Sequence, residues 1–181
     1  MAQSTDRIID EYLVVSSRAG DRTAFEALAR RWQKKLIAHA WRLTGDTETA
    51  RDAVQAGWIE IVRGLHRLQD ERAFPAWAYR IISRRCAKLI GKTIRLREMS
   101  AEFGLQPIFE ADNTDANIES ERLRMAIRDL SPEQRSAIAL FHFEELSVAE
   151  VAVALNVPAG TVKTRLMHAR RKLRTVLEGE A

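Results

Sequence analysis

Cysteine is nearly absent from this 181-residue chain: Cys86 stands alone, so no internal disulfide can form. The histidines, His39, His66, His142 and His168, have no metal-ligand spacing with Cys86 or with one another, and neither a metal nor a cofactor is expected. Glycine and proline are scarce, at 8 and 4 residues, and β-branched runs are short. With Ala, Leu, Arg and Glu dominating, helix is the favoured state throughout, and an all-α protein is expected. No apolar run reaches the roughly 18 residues of a membrane span. The start, MAQSTDRIIDEYL, mixes acids with apolar residues and lacks the basic opening and long apolar core of a secretory signal. A cytoplasmic protein with no membrane insertion of its own is expected. An enzyme is not: there is no glycine-rich phosphate loop, no cluster of carboxylates, and no nucleophile with a base at recognisable spacing.

What is present is most concentrated between Leu146 and Leu173, LSVAEVAVALNVPAGTVKTRLMHARRKL. Ser147 and Glu150 have the S-x-x-E spacing that lets two side chains satisfy each other's backbone N–H groups at a helix start. Val148, Val151, Ala152 and Leu155 then form one apolar stripe. Asn156 to Gly160 holds an Asn, a Pro and a Gly, which is turn chemistry with Pro158 placed to open the next helix. In that second helix Val162, Leu166, Ala169 and Leu173 keep helical spacing, and Thr161, Thr164, Arg165, His168 and Lys172 fall on the outer face. Between Thr161 and Leu177 there are six Lys or Arg and no acid, although the whole chain carries a formal net charge of only +4. A helix-turn-helix for DNA follows. Thr161, Lys163, Thr164, Arg165 and His168 are candidates for base contact, and Arg170, Arg171 and Arg174 for phosphate contact. Arg165 is the best base reader, because a guanidinium can bond the O6 and N7 of guanine together.

Charge also divides the chain. Arg80 to Arg97 holds seven basic residues and no acid, whereas Glu98 to Glu121 holds seven acids and no base. The acidic stretch lacks steady periodicity and contains Gly104, Pro107, Asn113 and Asn117, so a linker over 98–118 is expected between a helical domain at 1–97 and a second at 119–181. In the first domain, helices are expected near Asp6–Ala19, Arg22–Leu43, from an Asp46 or Thr47 cap to Leu68, and over Phe74–Thr93. Their inward residues include Phe25, Leu28, Trp32, Leu36, Val54, Ile61, Trp77 and Ile81. In the second, a helix over Ile118–Leu130 is followed by a Ser131 cap with Pro132 in the first turn.

Several motifs occur together in order: Asp52-Ala53-Val54-Gln55 between LTGD and WIEIVRGL; Phe74-Pro75-Ala76-Trp77-Ala78-Tyr79-Arg80-Ile81; Leu130-Ser131-Pro132-Glu133-Gln134-Arg135; and Gly160-Thr161-Val162-Lys163-Thr164-Arg165-Leu166. In this combination the chain resembles, from about Asp21 to Leu177, the extracytoplasmic-function group of sigma-70-family RNA polymerase sigma factors. The resemblance implies a promoter-specificity subunit with a region 2-like and a region 4-like domain. Its partners would be core RNA polymerase, promoter DNA and a protein anti-sigma factor. By the same resemblance Asp52, Gln55, Trp58 and Glu60 form the core-binding face, and the linker threads the RNA-exit channel.

The resemblance further gives the fourth helix the minus-10 element and its melting. Phe74, Tyr79, Arg80, Arg84, Arg85 and Lys88 fit that task chemically, since single strands are held by stacking surfaces beside a cationic track. Trp77, lying in the apolar stripe with Ile81, is expected in the core. Many family members carry Asn where this chain has Arg84, and Asp where it has Lys88. Both departures make the helix more basic, and Arg84 cannot accept the hydrogen bonds an Asn can. One alternative stays open at this point: a response-regulator-type helix-turn-helix protein that binds duplex operators without core polymerase. It would need a sensor or receiver in the N-terminal half, where no alternating strand and helix pattern is found.

Overall fold

A computed structural model describes residues 2–102 and 118–178. Among these the regular structure is helical: α1 (Ala2–Arg18), α2 (Arg22–Thr44), α3 (Thr47–Gly64), α4 (Phe74–Glu102), α5 (Ile118–Arg128), α6 (Pro132–Ile138), α7 (Val148–Leu155) and α8 (Ala159–Glu178). Short turns of 3-10 helix at Leu65–Arg67 and Glu71–Ala73 lead into α4, and a π-helical turn at Ala139–Phe143 follows α6. The fourth helix runs nine residues past its expected end at Thr93, through Glu98, where the linker was expected to begin. Most of that expected linker, 103–117, lies outside the described residues.

Helix boundaries follow local chemistry. Asp21 accepts from the Ala24 N–H at 3.0 Å and Asp46 from the Thr49 N–H at 2.6 Å, satisfying donors that a helix start leaves open. Gly45 ends α2 in the left-handed region at φ 70°, where a Cβ would be strained. Ser131 with Gln134 and Ser147 with Glu150 both form reciprocal capping boxes. Asn156 closes α7 at φ 54°, a left-handed position that asparagine tolerates better than most residues. Pro158 stands just before α8, and Gly160 lies within its first turn.

In the N-terminal half, α2, α3 and α4 pack together with α1 laid across α2. Leu28, Trp32, Leu36, Val54, Ile61, Phe74 and Ile82 fill the centre, each contributing on the order of 1.5–3 kcal/mol by burial. Gly57 allows the α3–α4 approach, because a side chain there would run into Ile82. The C-terminal half packs α6 and α7 against α8, around Leu140, Val151, Val162, Leu166 and Ala169, with α5 alongside α8. The halves meet along a seam: α4 lies against α7, and α2 against α6 and the π turn. The half-buried Arg135 serves as a shared clamp, donating to the carbonyls of Ile127, Arg128 and Leu130 at the end of α5 and to that of Leu43 on α2.

Candidate nucleic-acid interface

The outer face of α8 is the basic surface the residue spacing predicts. Val162, Leu166 and Ala169 are buried, while Lys163, Thr164, Arg170, Arg171 and Arg174 are exposed and Thr161, Arg165 and His168 are half-buried. Thr164 spends its hydroxyl on the Gly160 carbonyl at 3.1 Å. Arg165 lies near Glu133. That carboxyl is held below its ordinary value by its own backbone N–H, then by the Ser131 hydroxyl, with the Arg165 charge adding to them. Arg170 sits over the Phe141 ring at 5.3 Å and bonds His142 Nε2 at 3.3 Å; burial and the Arg170 charge hold this imidazole below its usual range, so it stays an acceptor at neutral pH. Arg171 and Arg174 project from the exposed part of the helix. The arrangement offers a run of cations along one helix whose N-terminal turn is unobstructed, the geometry a major-groove reader needs.

The fourth helix divides the expected minus-10 set. Arg80, Arg84 and Lys88 are exposed and Arg85 is half-buried. Phe74 and Tyr79, expected as stacking surfaces, are buried instead, at 0% and 2% exposure. Both join an aromatic cluster: Trp32 meets Phe74 edge-on at 5.1 Å and Tyr79 at 5.6 Å, and Tyr79 meets His39 at 4.9 Å. Burying rings of this size against one another outweighs leaving them on a wet surface. Trp77, expected in the core, is half-buried, its ring 6.1 Å from Phe74.

The set expected to bind core polymerase also separates. Asp52 and Gln55 are exposed on α3 and line a groove of about 740 Å³ between α3 and α4, floored by Ala56, Ile59, Leu89 and Leu96 and rimmed by Arg85, Lys88, Lys92 and Arg95. Trp58 is half-buried, its indole N–H donating to Gln33 Oε1 at 2.6 Å and its ring edge-on to Phe25. Glu60 is already paired. It accepts from Arg85 Nε at 2.9 Å and pairs with Arg84, so it joins α3 to two minus-10 candidates rather than standing open to a partner. Like charges along α4 need a counter-ion, and Glu60 is within reach.

A polar cluster that residue spacing does not reveal sits in the seam. Glu144, just past the π turn, accepts from Arg42 Nη1 at 2.7 Å and from the Tyr79 hydroxyl at 2.6 Å. His39 Nδ1 is 3.6 Å from it, too long for a hydrogen bond and a charge contact only when the ring is protonated. The other ring nitrogen is 2.9 Å from Ser83 Oγ. Burial alone would raise the Glu144 carboxyl; contact with His39, the Tyr79 hydroxyl and the Arg42 charge bring it below its ordinary value. Tyr79 is pushed the opposite way, by burial first and then by Glu144. Cys86, on the inner face of α4, is fully buried, and its thiol is pushed up to about 12 by burial, which leaves it inert.

Residues 28–95 match Sigma-70 region 2, and residues 120–173 match Sigma-70, region 4. The chain is 33% identical over 172 residues to the ECF RNA polymerase sigma factor SigM of Mycobacterium tuberculosis, an alignment covering 93% of this chain and 84% of the relative. Its fold is similar to that of CnrH in complex with the cytosolic domain of CnrY (TM-score 0.72, 21% identity, 96% of this chain and 99% of that one). It is also similar to the sigma factor RpoE of Bartonella quintana in complex with the anti-sigma factor NepR (TM-score 0.67, 22% identity, 87% of this chain and 98% of that one). The region 2 match occupies the N-terminal half, where a response-regulator reading would put a sensor or receiver, and the region 4 match spans the helix-turn-helix. The chain belongs to the sigma-70 family of RNA polymerase sigma factors, in its extracytoplasmic-function group.

Proposed function

We propose that this sigma factor reads the minus-35 element with α8, engages and opens the minus-10 element with the exposed cations of α4, and docks on core polymerase through the α3–α4 groove beside Asp52 and Gln55. It directs promoter-specific transcription initiation and works in the cytoplasm, where core polymerase and DNA meet; its part is specificity, not catalysis. The reading rests on one observation above all: α8 buries its apolar stripe and leaves Lys163, Thr164, Arg170 and Arg171 exposed at the head and along the outer face of a capped helix-turn-helix. Thr161, Arg165 and His168 serve as base readers at its head, and Arg171 and Arg174 as phosphate holders. On α4, Arg80, Arg84, Arg85 and Lys88 supply the cationic track. The 103–117 segment joins the two units. An anti-sigma protein holds the chain silent, in keeping with the partner named for the similar RpoE structure.

Run-off transcription with core polymerase on genomic fragments tests this reading. Discrete, start-specific transcripts that depend on both proteins are expected. Co-elution with core polymerase failing, together with tight binding of the protein alone to a palindromic duplex, is the result that overturns it.

A further inference from the structure

Arg170 is exposed on α8, yet two side chains from outside the helix hold it. Its guanidinium lies 5.3 Å over the Phe141 ring, and its Nε and Nη2 stand 3.3 and 3.2 Å from one acceptor, His142 Nε2. Phe141 is half-buried against the apolar core, which fixes the shelf beneath the guanidinium, and the His142 ring meets it edge-on at 5.0 Å. Both residues belong to the π-helical turn Ala139–Phe143, and π turns are rare and frequently found at functional sites. Helical spacing sets Lys163, Arg170 and Arg174 along one side of α8, seven and four residues apart, with Arg170 in the middle of a cationic row.

We propose that His142 is a positioning residue for promoter DNA: with Phe141 it holds Arg170 ready for one backbone phosphate beside the minus-35 element. The inference rests on the assignment of α8 to that element. The imidazole takes one edge of the guanidinium, Nε with Nη2, and leaves the Nη1 end for a phosphate oxygen. A carboxylate in the same place would cancel the charge and compete with the phosphate. A neutral acceptor orients the guanidinium and leaves its charge whole. The advantage is one of ordering: a free arginine gives up its rotamers when it grips a phosphate, and one already held gives up few.

A backbone contact carries no sequence information, so the probe is a short fluorescent duplex of random sequence, titrated with the full-length chain over a series of salt concentrations at neutral pH. Arg170→Ala should weaken binding and reduce the salt slope by about one, the signature of a lost phosphate contact. His142→Ala should weaken binding roughly two- to tenfold, the effect of ordering one long side chain, and leave the slope unchanged because no charge is lost. His142→Gln, which offers an amide oxygen to the guanidinium, should recover most of that loss. In an Arg170→Ala background, His142→Ala should have no further effect. Arg170→Lys keeps the charge but lacks the planar edge that the imidazole holds, so it should keep the slope and lose affinity as His142→Ala does. Should the alanine variants fail to fold, Arg170→Lys and His142→Gln alone carry the question, and wild-type affinity in Arg170→Lys overturns the proposal. An equal loss from His142→Ala with and without Arg170, in chains of wild-type helicity, also overturns it. A slope that Arg170→Ala leaves unchanged while Arg171→Ala lowers it removes the positioning role alone; a slope that neither changes counts against the assignment of α8 to DNA as well.

Discussion

Glu60 on α3 accepts from Arg85 Nε of α4 at 2.9 Å, and the same carboxylate pairs with Arg84. It therefore sets the charge on the face of α4 proposed to meet DNA, although its place on the D-x-x-Q helix suggests a role toward polymerase. Glu60→Gln should cost only about 0.2–1 kcal/mol of stability, because Arg84 is largely exposed. It should steepen the salt dependence of single-strand binding by about one unit of slope as the two guanidiniums become available to phosphate. Affinity for core polymerase, measured in parallel, should hold; a large loss there with no change in salt slope would return Glu60 to the docking face.

The two kinds of contact assigned to α8 separate in binding measurements. Arg165→Ala should cost about 1–3 kcal/mol at one promoter base pair and relax the choice there. Arg171→Ala should weaken all promoters alike and reduce the salt slope by about one. Because Arg165 lies near Glu133 in the free protein, Glu133→Gln should leave the base preference unchanged while altering affinity slightly. Equal, sequence-independent losses from both arginine substitutions contradict the base-reading role of Arg165.

What was legible in the sequence was local. The Ser147–Glu150 box, the Ser131 and Asp46 caps and the α7 and α8 stripes depend on residues three or four apart, and a linear reading finds such spacings. Phe74 and Tyr79 were misplaced because aromatic residues among cations suit a stacking platform and a core equally well; only the arrival of Trp32 and His39 from α2 decides between them. Glu60 was read from its motif neighbours, but its partners are 24 and 25 positions downstream. Glu144 left no trace, since it lies 65 residues from Tyr79 and 102 from Arg42, and no periodicity links positions so far apart.

Acid should loosen the protein through its capping carboxyls and the buried Glu144 first. Glu144 and Glu150 sit below their ordinary 4.5, and Asp46 sits below 3.8. A group whose pKa is lower folded than unfolded binds its proton more weakly in the native chain. Its stabilisation is thus present above the unfolded pKa and is lost as pH falls through the folded one. Urea midpoints should stay nearly flat down to about pH 5 and decline below it. Glu144→Gln should flatten part of that decline. A midpoint that rises toward pH 4 would contradict the assigned direction.

The start of α7 offers a test of how one carboxylate divides its work. Glu150 accepts from the Ser147 backbone N–H at 2.8 Å as half of the capping box and also pairs with Arg7 across the seam at 3.1 Å. Ser147→Ala removes the hydroxyl that accepts from the Glu150 N–H and should cost about 1 kcal/mol. Glu150→Gln retains an acceptor for the Ser147 N–H, as Gln134 does for Ser131, and loses only the charge. Since Arg7 is 54% exposed, that loss should stay within about 0.2–1 kcal/mol, and Glu150→Ala should cost more than Glu150→Gln. The Ser147→Ala/Glu150→Ala pair should cost less than the sum of its parts, because either change alone already disables the reciprocal box. Chemical denaturation at neutral pH measures all four; equal costs for Glu150→Gln and Glu150→Ala would mean that the Arg7 pair, and not the cap, sets the stability of this helix start.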